Sequence, residues 1–147
     1  MKDAASVVNV RKILSMYQGE PLCVIFSAMG KTTNALEKLT EAWVKQDMVA
    51  FELLDEVEKF HQLIAEELLS DAHKTTQPLF AELRRMLQAE PPVLYDSAYD
   101  MLVPFGELLS AAIVSAYLKQ DGLYNRLLDA RNLVITDESF RNGRGQW

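Results

Sequence analysis

The sequence predicts an α/β domain that is mostly helical, with few strands and an inserted helical hairpin. Three observations predict it. Apolar residues recur every three or four positions through most of the chain. Three short segments, 22–26, 124–128 and 133–135, leave that spacing and read as strands. The six glycines and five prolines fall mostly between the periodic blocks. An all-helical bundle is the alternative that the same pattern allows.

The first helix runs from about residue 4 to 18. Val7, Val10, Leu14 and Tyr17 share one face, Asp3 can cap the start, and Gly19 with Pro21 stops it. Residues 22–26 (Leu-Cys-Val-Ile-Phe) are a continuous apolar run between breakers, the pattern of a buried strand with Cys23 as an inert core thiol. Residues 27–32 form the loop after it. Asn34 with Glu37 matches a capping box, and Leu36, Leu39 and Trp43 face inward. Asp47 can cap the next helix, which extends to about residue 70 with the stripe Leu53, Val57, Phe60, Ile64 and Leu68. Its partner begins near Pro78, a favoured first-turn residue, presents Leu79, Leu83, Met86 and Leu87, and ends at Pro91-Pro92. These two helices make the hairpin, 47–90. A shorter helix covers 93–103. Gly106 opens another, from 107 to about 119, with a face of small residues: Ser110, Ala111, Ala112, Ser115 and Ala116. Three short strands are few for so many helices, and neither end of the chain has a natural boundary. Residues 1–147 therefore read as a single partial domain.

A net charge of −6 and a pI near 4.9 argue against nucleic acid or an anionic membrane surface as partner. One cysteine excludes an internal disulfide and fits a reducing compartment. The longest unbroken apolar run is the five residues 22–26, against ~18 for a membrane span. The N-terminal segment is interrupted by charge, unlike a signal peptide. The expectation is a cytoplasmic protein.

The junction Phe26-Ser27-Ala28-Met29-Gly30-Lys31-Thr32-Thr33-Asn34 leads from an apolar run into a helix. Free N–H groups and the helix dipole favour an anion there, and Ser27, Thr32 and Thr33 add hydroxyls. Gly30, Lys31 and Thr32 have the form of the end of a P-loop and are phosphate-loop candidates; the glycine a P-loop needs five positions earlier is Ile25. A capped helix with a polar loop accounts for the same residues. Glu107, in the first turn of the small-faced helix, suits either an ammonium group or simply the helix dipole. Glu58-Lys59-Phe60-His61 is a single E-x-x-H where a di-iron bundle needs two, so it reads as a polar helix face with no metal site.

Together, Val24-Ile25-Phe26-Ser27-Ala28-Met29-Gly30-Lys31-Thr32-Thr33-Asn34, Phe105-Gly106-Glu107-Leu108-Leu109-Ser110, Leu127-Leu128-Asp129-Ala130-Arg131 and Ile135-Thr136-Asp137 resemble segments of aspartokinases. The order and spacing match over essentially the whole chain. Aspartokinases are amino-acid kinases that phosphorylate the side-chain carboxylate of aspartate, early in lysine, threonine and methionine biosynthesis. The resemblance implies part of an αβα sandwich of the amino-acid-kinase type. It implies that Ser27 and Thr33 line an aspartate pocket, that Glu107 meets the substrate amino group, and that the partners are L-aspartate and ATP with Mg²⁺. The family's Lys-Phe-Gly-Gly-Thr-Ser strand, its Gly-Gly-Ser-Asp segment with the catalytic Asp, its nucleotide-binding half and its regulatory domains are not among these residues. The resemblance thus implies a fragment with no catalytic residues of its own, inactive alone, with the ATP site mostly outside it. A sheet edge left uncovered implies self-association into a homo-oligomer. Two other readings are a non-enzymatic helical interaction domain using the 47–90 hairpin, and a degenerate P-loop nucleotide binder.

Overall fold

Side-chain caps and tight turns decide where the helices begin. Asp3 accepts the Ser6 N–H and hydroxyl at 2.8 and 2.5 Å, and α1 (Ala4–Ser15) starts at the next residue, as expected. α2 (Thr32–Val44) starts ahead of the expected Asn34 cap, because the Thr32 N–H and hydroxyl both close onto the Met29 carbonyl, at 3.0 and 2.6 Å. Asp47 holds the Val49 N–H at 3.0 Å, and α3 covers Val49–Leu68. α4 (Ala72–Leu87) starts well before Pro78, which lies inside it. Asp71 is the cap, accepting the Lys74 N–H at 3.4 Å. The first two turns of α4 are polar, with Thr76 buried among them, so the apolar stripe becomes visible only at Leu79. α5 (Tyr95–Leu102), α6 (Phe105–Gln120) and a short 3-10 turn, Ala130–Asn132, follow.

This computed structural model describes residues 1–17, 19–134, 140 and 145. Among them the chain is mostly helical and has no β-strand. Two apolar cores run side by side. One joins Leu36, Leu39 and Trp43 of α2 to Leu54 of α3, Phe80 and Leu83 of α4, Leu102 of α5 and Leu109 of α6. The other joins Val7 of α1 and Met29 to Ile64 and Leu68 of α3 and Ile113 and Leu118 of α6. α3 and α6 belong to both. The buried line of α3 is Leu54, Val57, His61, Ile64 and Leu68; Leu53 and Phe60, expected inside, are only partly buried. α3 packs between α2 and α4, which turns its inner face by one position. The hairpin forms, but its stripe is used within the core and it is no appendage. α5 and α6 together are long and apolar enough, by length and composition, to cross a membrane, yet more than half of their most apolar stretch is buried in the bundle.

The expected strands are where the structure differs. Residues 22–26 form no strand: Leu22 and Val24 are 48% and 44% exposed, Ile25 is 90% exposed, and Cys23 is at the surface rather than in a core. Residues 124–128 also form no strand, with Tyr124 94% exposed. Among the described residues no backbone–backbone hydrogen bond reaches 22–27 or 124–127. A strand needs a neighbour to satisfy its N–H and C=O groups, and the described residues supply none to either segment. Leu133 and Val134 close the 3-10 turn instead of pairing, and Ile135 lies outside the described residues, as do Thr136 and Asp137. The α/β expectation therefore holds here in its helical part. Residues 123–131 fold back along α6. The Leu123 N–H meets Leu118 O at 2.8 Å, the Ser115 hydroxyl donates to Asn125 at 2.7 Å, and the Arg131 guanidinium lies 5.3 Å from the Phe105 ring centre.

Candidate functional site

The N-termini of α2 and α6 abut. A Cβ on Gly106 would stand 2.8 Å from the Ala28 Cβ, 3.4 Å from Thr32 Cγ2 and 3.5 Å from Leu36 Cδ1, so only glycine allows this approach. One residue on, Glu107 Oε1 accepts the Ala28 N–H at 3.3 Å. The bond spans 79 positions and brings Glu107 beside the loop that carries Ser27.

Ser27 is exposed, next to that bond. Thr33 is half-buried in the first turn of α2. The N–H groups of Thr33 and Asn34 have no backbone partner among the described residues, leaving an electropositive helix start. The phosphate-loop candidates are more committed. The Gly30 N–H donates to Met1 O at 2.8 Å, Thr32 is 3% exposed with its hydroxyl on Met29 O, and the Lys31 side chain is exposed.

On its other side Glu107 lines an open groove of about 340 Å³ with Tyr99, Val103, Pro104, Asp129 and Arg131. Arg131 grips Asp129 through Nε and Nη2 at 2.7–3.1 Å. That hydrogen bonding lowers the Asp129 pKa and raises that of Arg131, so the pair stays charged. Sequence reasoning placed Asp129 and Arg131 only within a resembling segment. Their D-x-R spacing, capping a turn, was the available sign.

The E-x-x-H residues part company. Glu58 pairs with Arg84 of α4, which also holds Asp55 at 2.7 Å. His61 is fully buried rather than on a polar face. Its Nδ1–H donates to Val57 O at 2.8 Å, and Nε2 faces the Thr32 hydroxyl at 3.4 Å. Burial lowers its pKa, opposed by the Val57 hydrogen bond, so the ring is neutral. No group of three or more metal-ligating side chains gathers among the described residues.

No family model matches the chain. Several curated proteins do. Aspartokinase 1, chloroplastic, of Arabidopsis thaliana is 33% identical over 147 residues, which is 95% of this chain and 26% of that protein. Aspartokinase 2, chloroplastic, of the same plant is 30% identical over 149 residues, covering 97% and 27%. The aspartokinase of Chlamydia muridarum is 27% identical over 133 residues, covering 90% and 29%. The chain thus has a distant, partial similarity to aspartokinases and spans about a quarter of their length.

Proposed function

We propose that the chain is the aspartate-binding portion of an aspartokinase catalytic domain. The whole enzyme would transfer the γ-phosphoryl group of ATP to the side-chain carboxylate of L-aspartate. The observation that carries this reading is the hydrogen bond from Ala28 N–H to Glu107, because it joins two segments that resemble separate parts of the family. Around it the chemistry suits an amino acid. The Ser27 hydroxyl and the open amides of Thr33 and Asn34 suit a carboxylate; the Glu107 carboxylate, with one oxygen on Ala28, can offer the other to an ammonium group. Phosphoryl transfer asks chiefly for such positioning and for charge neutralisation.

MgATP would be the co-substrate, and the residues here do not fit it. The Gly30 N–H is committed to Met1 O and the Thr32 hydroxyl to Met29 O, and no acidic cluster for Mg²⁺ forms among the described residues. The same facts weigh against a P-loop nucleotide binder. In the whole protein, 22–27 and 124–128 would be strands of an αβα sandwich: both reach their carboxyl ends beside Glu107, where open α/β sheets bind ligands. Their exposed edges favour a homo-oligomer, and the cytoplasm is the proposed location.

Titrating the ¹⁵N-labelled chain with L-aspartate tests the reading. Aspartate should shift the Ala28 and Thr33 amides, succinate, which lacks the ammonium, should do so far more weakly, and Glu107→Gln should weaken aspartate binding roughly ten- to a hundredfold, the scale of a charged hydrogen bond. The chain alone should show no turnover with MgATP. Loop amides that ignore aspartate would overturn the assignment.

A further inference from the structure

We infer that Phe60 and His61, on α3, are positioning residues for the 27–33 loop. The inference rests on the reading of that loop as part of the substrate site. The loop has little regular structure of its own to hold it. Its fixed points are Gly30 N–H on Met1 O, the Thr32 N–H and hydroxyl on Met29 O, and the Met29 side chain, which is fully buried. Gly30 and Thr32 meet the Phe60–His61 pair directly, and Met29 shares an apolar core with Phe60. Gly30 has φ +56°, and a Cβ there would meet the Phe60 ring at 3.2 Å, so the loop lies directly on that ring. Phe60 stands edge-on to His61, with centroids 5.1 Å apart at 87°, and His61 leans on Phe80 of α4 at 6.1 Å.

The nitrogens of His61 are committed in opposite directions. A carbonyl accepts only, so the Nδ1 facing Val57 O carries the proton. That bond fixes the ring against α3 and leaves Nε2 a bare acceptor, which faces the Thr32 hydroxyl at 3.4 Å. The hydroxyl has a single proton to donate, which serves either Met29 O at 2.6 Å or Nε2 at 3.4 Å. Thr32 is thus shared between the loop turn and the imidazole. A residue needed only for bulk could be leucine here, without the cost of burying two ring nitrogens. The contacts run from Phe80 of α4 through His61 and Phe60 to Thr32 and Gly30, and so to the loop that presents Ala28 to Glu107.

Amide hydrogen exchange of the full 147-residue chain tests this, with His61→Leu, His61→Gln, Thr32→Val and the His61→Leu/Thr32→Val double variant. His61→Leu should speed exchange of the Gly30 and Thr32 amides about tenfold, the scale of one hydrogen bond, while α4 amides keep their rates. Gln, which can reach the Thr32 hydroxyl, should restore most of the protection. If His61 acts through Thr32, adding His61→Leu to Thr32→Val should change little. Exchange that rises evenly over all helices, or loop amides indifferent to His61→Leu, would overturn the inference; should His61→Leu fail to fold, His61→Gln decides, since loop amides as fast as in Thr32→Val would overturn it too. The exchange is read without ligand. Loop amides coupled to His61 yet unmoved by L-aspartate would keep the positioning role and sink the substrate assignment.

Discussion

The helical block, 32–120, and the non-helical segments, 22–27 and 124–128, are both rich in apolar residues and have opposite fates. Leu36, Leu54 and Leu109 are fully buried; Ile25 and Tyr124 are about 90% exposed or more. A helix satisfies its backbone internally and needs only a surface on which to lay one face. An extended segment must borrow hydrogen-bond partners from another chain segment before its side chains can be covered. Here apolar content alone does not decide burial. The supply of backbone partners does.

The sharpest way to break that comparison is to truncate one apolar residue in each region. Phe80→Ala should cost about 3–5 kcal/mol, since Phe80 is 1% exposed at the centre of the first core. Ile25→Ala should change stability by less than about 0.5 kcal/mol. Denaturant midpoints at constant m-value measure both, and equal losses would mean that 22–27 is packed in solution.

Gly106→Ala probes the seam between the regions. The added methyl has nowhere to go against Ala28 and the first turn of α2, so about 1–3 kcal/mol should be lost. The Ala28 amide should also lose its protection by Glu107. A neutral Gly106→Ala would show that the two helix starts stand further apart.

The smallest effect is a pH dependence. Burial lowers the folded-state pKa of His61 below its ordinary 6.5. Below pH 6.5 the unfolded chain therefore binds the proton first. The stability that the neutral ring contributes is complete above 6.5 and is lost as pH falls toward the folded value, with a slope of at most about 1.4 kcal/mol per pH unit for one proton. Asp3, Asp71 and Asp129, lowered by hydrogen bonds from Ser6, Lys74 and Arg131, act in a separate window below about 3.8. His61→Gln should flatten the upper slope and leave the lower one unchanged, as thermal melts across pH would record.

What could be read from the sequence follows the same division. Asp3, the inner face of α2 and the Glu107 helix start are local features, and each stands where expected. The start of α4 was hidden because a cap and two polar turns carry no apolar stripe. Whether Leu53 or Leu54 faces inward depends on neighbouring helices that periodicity does not see. His61 looked like surface because its burial is licensed by Val57 O and Thr32, the latter contributed by a loop 29 positions away. The bond between Ala28 and Glu107 left no periodic trace at all. Only the likeness of the two segments to one family anticipated that they would meet.

The division of α3 between the two cores has a consequence for how the molecule comes apart. Its first turns are locked to α2 and α4, and its last turns to α1 and α6. The two cores therefore cannot separate from one another without breaking α3. The helical block is one cooperative unit, and a ligand that tightened the loop at one end would raise the melting temperature of helices at the other.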